Sequence, residues 1–180
     1  MAYIPSGSEL LNPEKILART NIREGMRVAD FGCGASGHFV FPMSQMVGKD
    51  GKVYAVDILK SALASVVSRA KIEGATNIET VWSDLEVFGG AKIDSASLDI
   101  VAFVNNQPNE AMLKEAARLL SVGGTLLVVD WNITEVPFGP PSKDRQDPIA
   151  YKKNITALGF VLNEEFRAGP YHYGLVFEKV

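Results

Sequence analysis

Three glycines spaced G-x-G-x-x-G, Gly32, Gly34 and Gly37, lie in the stretch VADFGCGASGHF, just after Asp30. Asp57 follows Gly37 by 20 residues, at the end of the run KVYAVD. Glycines clear side chains from a loop so that a ligand can reach its backbone, and a carboxylate at that spacing can hold the hydroxyls of a ribose. A dinucleotide, a phosphate, a nucleoside with a cationic tail and a purely structural turn all fit the glycines alone. Asp30 separates them. A carboxylate at the tip of the strand entering the loop repels a pyrophosphate and attracts a ligand bearing an ammonium and a sulfonium. A third acid, Asp84, follows the run IETVW. Each also has a plainer reading: Asp57 and Asp84 as solvated strand ends, Asp30 as a helix cap or the partner of a lysine. Cys33, small and between two glycines, is a packing residue whose backbone is the contact. His38 either faces the ligand or packs.

Positioning these residues requires strands that end where the acids stand. Short β-branched runs alternate with longer helical patterns, the signature of an α/β fold with a mostly parallel sheet. RVADFG (27–32), KVYAVD (52–57), IETVW (78–82), LDIVAFV (98–104) and TLLVVDW (125–131) read as strands, followed by FVLNEEF and YGLVFEKV. SALASVVSRAKIEG places Leu63, Val66, Val67 and Ala70 on one helical face and stops at Gly74. Asn109 caps a helix that ends before Gly123–Gly124, and Asn12-Pro13 and Asp147-Pro148 each read as an N-cap with proline at the first helical position. The last two strands are joined by RAGPYHYG, too short for a helical crossover, so they pair as an antiparallel hairpin. The expected fold is α/β, a Rossmann-like, doubly wound, seven-stranded sheet, mostly parallel with the last strand antiparallel. Residues 132–146, NITEVPFGPPSKDRQ, lack periodicity and read as an extended, lid-like loop.

With 180 residues, 47% of them hydrophobic, one domain is expected over 1–180, with residues 1–24 as an N-terminal cap segment and helix. A formal net charge of -3 with both signs interspersed gives no basic stripe for nucleic acid. One cysteine excludes an internal disulfide and fits a reducing compartment. No stretch has the length to insert in a bilayer, so a cytoplasmic location is expected. No cysteine or histidine cluster suits a metal. Nothing in the chain speaks to oligomeric state.

VADFGCGASG resembles the first motif of class I S-adenosylmethionine-dependent methyltransferases, apolar-x-(Asp/Glu)-apolar-Gly-x-Gly-x-Gly, with Ser36 displacing the last glycine by one place. The resemblance runs from about Asn12 to the end. GKVYAVD is similar to the family's ribose-binding strand, VWSDLEVF to the strand whose acid meets the adenine amino group, and SLDIVAFVNN and EAARLLSVGGTLLVVDW to the fourth and fifth motifs. The style is closest to the ubiquinone-biosynthesis-like small-molecule type. Ser121-Val122 replaces the usual Lys-Pro, and Asn105-Asn106-Gln107-Pro108 lacks the paired proline and aromatic of amino-methylating relatives. The resemblance implies S-adenosyl-L-methionine as cofactor, bound by Asp30, Phe31, Gly32, Cys33, Gly34, Gly37, Asp57, Ile58, Asp84, Leu85 and Asn105. It implies a small-molecule methyl acceptor in preference to protein or RNA. The alternatives are a non-catalytic cofactor-binding protein and an NAD(P)-dependent oxidoreductase. Asp30, the missing second domain and the reversed last strand disfavour the oxidoreductase.

Ligands of open parallel sheets gather beyond the carboxyl ends of the strands. That edge also collects the Asp130-Trp131 exit and the tip of the last hairpin, which makes Tyr171, His172 and Tyr173 pocket candidates. Tyr3 and Ile4 are expected to cover the same edge. Methyl transfer from a sulfonium needs chiefly alignment and a dry site. His38, His172 and Asp130 are candidate bases by location, and no residue is assigned a catalytic role.

Overall fold

Strands that are apolar on both faces demand cover on both faces, and the computed structural model, which describes residues 7–180, supplies it around one sheet. The strands are β1 (Arg27–Phe31), β2 (Lys52–Asp57), β3 (Ile78–Trp82), β4 (Leu98–Val104), β5 (Leu120–Trp131), β6 (Phe160–Gly169) and β7 (His172–Lys179). Their order is β3-β2-β1-β4-β5-β7-β6. Pairings among β1 to β5 are parallel, whereas β7 runs antiparallel to both β5 and β6. The last strand is thus the reversed one, inserted between β5 and the edge strand β6. The order reverses between β1 and β4, where an α/β sheet opens its ligand crevice.

One face carries Val28, Ala55, Ile100, Leu127 and Val129, covered by α1 (Pro13–Leu17), α2 (Val40–Val47) and α3 (Lys60–Glu73). The other carries Phe31, Val56, Phe103 and Val128, covered by α4 (Glu110–Leu119) and α5 (Pro148–Thr156). Phe31 and Phe103, cross-strand partners, meet edge to face at 5.3 Å between ring centroids. Burying each such side chain contributes roughly 1.5–3 kcal/mol. The caps form as the sequence requires: Asn12, Asn109 and Asp147 accept from the backbone N–H groups of Lys15, Met112 and Ile149, and Gly74 ends α3 in the left-handed region at φ 68°.

Three local expectations change. Val67 is exposed, and Ala62 joins Leu63, Val66 and Ala70 on the buried face of α3. Gly123–Gly124 does not follow a helix end directly. α4 stops at Leu119 and β5 starts at Leu120, with the glycines in an irregularity where the register with β4 jumps from Leu98↔Leu120 to Ile100↔Thr125. Residues 132–146 are not extended either. They wrap around Arg145, a buried side chain whose guanidinium donates to the carbonyls of Asn132, Thr134, Phe138 and Pro140.

The crossover from β3 to β4 passes β2 and β1 without a helix. It is held instead by Glu115 of α4, fully buried, which accepts from Gly89 N and Ala91 N and pairs with Arg118 at 2.7 Å. Arg118 in turn donates to the carbonyls of Ala91 and Ile93. Burial acts to raise the Glu115 pKa, and the Arg118 guanidinium with the two amides outweighs it, holding the carboxyl below its ordinary range.

Candidate functional site

The glycine loop, residues 32–39, is shaped by its neighbours before any ligand is considered. All three motif glycines have positive φ, the region only glycine enters without strain. A side chain on Gly32 would collide with the amide of Asn106, whose Nδ2 donates to Phe31 O at 2.7 Å. One on Gly37 would stand 2.9 Å from the Phe41 ring. Gly34 alone faces open space. Two of the three glycines are therefore required by the protein's own packing, in addition to any room they clear for a ligand. From outside, Arg69 of α3 donates to Ser36 O at 2.8 Å and stacks on Phe41 at 3.9 Å from the ring centroid.

Asp57 terminates β2 beneath this loop. Its two carboxylate oxygens accept from Gly34 N at 2.9 Å and Leu59 N at 2.8 Å, so one side chain fixes the loop after β1 and the turn after β2. A carboxylate has about four lone-pair sites, so it can accept from further donors. A cavity of about 550 Å³ opens beside it, lined by Gly32, Asp57, Ile58, Asp84, Leu85 and Asn106 among others. Asp84 shapes its own turn by accepting from Glu86 N at 3.0 Å. Ser83, buried next to it, has a hydroxyl without a hydrogen-bond partner among the described residues.

Asp30 is the least ordinary group here. Only 3% of it is exposed, and among the described residues its carboxyl has neither a hydrogen bond nor an ion pair, so it neither caps a helix nor pairs with a lysine. Burial, with a smaller contribution from the Asp57 charge, pushes its pKa up to about 7. It faces a second, smaller cavity of about 130 Å³ that it lines with Leu11, Gly32, Cys33, His38 and Asn105. The Cys33 thiol is buried, and burial together with the Asp30 and Asp57 charges raises its pKa, so it is an inert packing group.

The expected site residues thus divide between two adjoining cavities. Asp57, Ile58, Asp84 and Leu85 line the larger, Asp30, Cys33 and Asn105 the smaller, and Gly32 both. Phe31 contributes only its carbonyl, taken by Asn106, because its ring lies in the core. Gly34 and Gly37 line neither. The sequence places Asn105-Asn106 together at this edge, but only Asn105 was expected to meet the cofactor, whereas Asn106 lines the larger cavity; Asn105 adopts φ 55°, a left-handed conformation that asparagine tolerates.

Of the candidate bases, Asp130 lies on the opposite face. It is fully buried toward α5, accepting from Trp131 N at 2.7 Å and from the Tyr151 hydroxyl at 3.2 Å, which removes it from the cavities. Burial raises the pKa of both its carboxyl and the Tyr151 hydroxyl. His38 stays at the smaller cavity with Nε2 3.1 Å from Leu11 O. Tyr171, His172 and Tyr173 line neither cavity. The Tyr173 hydroxyl donates to Gln146 O, and Tyr171 packs edge-on against Phe138, so both support the 132–146 loop. Leu10 lies against Gly169, so the segment before α1 crosses this edge of the sheet. Tyr3 and Ile4 fall outside the described residues. No helix of the described residues is long and apolar enough to cross a membrane.

Comparison with known proteins bears on the family and the fold. The model of the ubiE/COQ5 methyltransferase family matches residues 9–162. A ubiquinone/menaquinone biosynthesis C-methyltransferase of Sinorhizobium fredii is 33% identical over 117 residues, 64% of this chain and 45% of that protein. A demethylmenaquinone methyltransferase of Lactococcus lactis is 27% identical over 127 residues, 68% of this chain and 49% of that protein. The chain spans about half the length of these relatives. Among solved structures, a SAM dependent methyltransferase from Aquifex aeolicus superposes with a TM-score of 0.87 at 25% identity, covering 98% of this chain and 94% of that one.

Proposed function

Because the chain belongs to the ubiE/COQ5 methyltransferase family, we propose that it is an S-adenosylmethionine-dependent methyltransferase acting on a small molecule. The observation that carries this reading is Asp30, a buried carboxyl without a partner at the foot of the glycine loop. Such a group is costly unless a cation meets it. The amino-acid tail of this cofactor brings an ammonium, and a pyrophosphate in the same place would be repelled.

The residues fit the group in parts. Asp57 takes the ribose hydroxyls while keeping its bonds to Gly34 N and Leu59 N. Asp84 and the Leu85 amide meet the adenine edge, with Ile58 as an apolar wall. Asp30 takes the ammonium, and the backbone of Gly32, Cys33 and Gly34, together with Asn105, surrounds the tail. When bound, the cofactor supplies a methyl group on a sulfonium, a leaving group that needs no activation by the protein. The chain's task is alignment and exclusion of water. Leu11, drawn to His38 through its carbonyl, closes one side of the smaller cavity.

Relatives named as a ubiquinone/menaquinone biosynthesis C-methyltransferase and a demethylmenaquinone methyltransferase support a small-molecule acceptor. The mixed surface charge argues against nucleic acid. The proposal includes a single domain with the 132–146 loop as a lid, and a cytoplasmic location. Calorimetric titration with S-adenosylhomocysteine and with NAD tests the reading: the thioether by-product binds and the dinucleotide does not. Tight uptake of NAD with no response to the by-product overturns it.

A further inference from the structure

Besides the cofactor cavities, the described residues hold one fully buried ring with both polar atoms unpartnered. His172 has no solvent exposure, and neither Nδ1 nor Nε2 has a hydrogen-bond partner. A buried polar atom without a partner is rare in a native protein and calls for a reason. An apolar side chain in its place would stack on its neighbours as well and leave nothing unsatisfied. The other histidine, His38, has the Leu11 carbonyl.

The surroundings supply the reason. His172 pairs across the sheet with Trp131, and the two rings lie 4.1 Å apart between centroids, tilted by 45°. Alternation along β7 puts Tyr173 in the core on the α4–α5 side, so His172 points to the opposite face, the one shared by Val129 and Asp30. Asn105 N donates to Val129 O, which sets the rim of the smaller cavity beside the end of β5. His172 is therefore two strands from that rim, roughly 10 Å at ordinary strand spacing. An acceptor held at His172 with its reacting atom at the cavity would span that distance. Above the ring lies the 132–146 loop. Arg145 sits 5.1 Å from the Trp131 ring centroid with its donors occupied by loop carbonyls, and Gly139 packs on the same indole. The Arg145 charge beside the ring, added to burial, keeps the imidazole neutral, with its pKa lowered to about 4. A neutral imidazole offers one donor and one acceptor.

We propose that His172 binds the methyl acceptor: its ring nitrogens hydrogen-bond an uncharged hydroxyl or carbonyl of a flat molecule admitted over Trp131 when the 132–146 loop lifts. This rests on the methyltransferase reading. His172 is then a specificity-determining residue, holding the acceptor at the end remote from the reacting atom.

The test uses the full chain saturated with S-adenosylhomocysteine, as wild type, His172→Leu and His172→Gln, with phenol as probe and toluene as its apolar counterpart. In ¹⁵N-histidine-labelled wild type, phenol shifts the ring-nitrogen resonances of His172. Phenol affinity falls at least fivefold in His172→Leu and returns to within about twofold in His172→Gln, while toluene affinity is the same in all three. His172→Leu also melts at a higher temperature, because the unpartnered atoms are gone. Ring nitrogens indifferent to phenol, or equal phenol affinity in wild type and His172→Leu, overturn the proposal. If His172→Leu fails to fold, the wild-type ring-nitrogen response decides alone. By-product binding is read separately: its absence from the wild type brings down the methyltransferase reading, whereas its retention with no phenol response brings down only the role of His172.

Discussion

Replacing Asp30 by asparagine removes a charge and leaves the shape, and the structure predicts opposite effects on stability and on binding. In the unfolded chain this carboxyl titrates near 3.8, and in the folded protein burial followed by the Asp57 charge moves it to about 7. Between those values the folded state holds a proton that the unfolded state has released, so stability falls as pH rises and levels off above about 7. At 1.36 kcal/mol for each pKa unit the full cost approaches about 4 kcal/mol, an upper bound that local relaxation reduces. Asp30→Asn escapes it. Urea denaturation should find the variant level with wild type near pH 4 and more stable by on the order of 2 to 4 kcal/mol at pH 8. The same substitution should weaken S-adenosylhomocysteine at pH 8 by roughly 1.5 to 3 kcal/mol, the worth of a hydrogen bond to a charged group. At pH 6, where wild-type Asp30 is mostly protonated, binding the ammonium should also release close to one proton. Calorimetry in buffers of different ionisation enthalpy reads that release, and the variant should show none. A variant less stable than wild type at pH 8, or one that binds the by-product as tightly, would refute the electrostatic argument.

Asp57→Ala should weaken the by-product by about 1.5 to 3 kcal/mol through the lost ribose contacts, and unchanged affinity by calorimetry would break that assignment. Glu115→Gln leaves Arg118 without its buried counter-charge and should cost roughly 3–5 kcal/mol in urea denaturation. Because the Glu115 carboxyl is held below its ordinary range, its contribution is present above the unfolded value and disappears as pH falls through the folded one. The gap between Glu115→Gln and wild type should therefore close in acid, and a gap independent of pH would show that the pair is not the source. Arg145→Ala removes the donor shared by four loop carbonyls. Limited proteolysis should then cut within residues 132–146 while the sheet stays intact, and resistance equal to wild type would mean that the loop is held by other contacts.

Much of the fold was legible because its signals are local. Asn12-Pro13, Asn109 and Asp147-Pro148 start helices since their side chains satisfy amide groups three or fewer residues away, and Gly74 ends one since it alone enters the left-handed region cheaply. The hairpin of β6 and β7 followed from a connection too short for anything else. Val67 was misplaced because helical periodicity shows a stripe, whereas the width of the buried part depends on where α3 meets the sheet. The reasons for Gly32 and Gly37 were also hidden: Asn106 and Phe41 stand against them after a chain reversal, with no mark in the motif itself. Nothing in the sequence marked Arg145 or Glu115. Each is buried because several backbone groups converge on it, and convergence is a property of three dimensions.

By itself the sequence determined the order of strands and helices, the glycine loop and the acids at three strand ends, because periodicity, caps and motif spacing act over a few residues at a time. Only the tertiary structure decided which of these groups are left without a partner. The sequence picks out Asp30 by its place before the glycines and His172 by its place in the last hairpin, but it does not show that either group ends up buried without a partner. They become costly, and so informative, only once the fold is complete: His172 is sealed from solvent with both ring nitrogens unpartnered, and Asp30 is left 3% exposed at the wall of a small cavity.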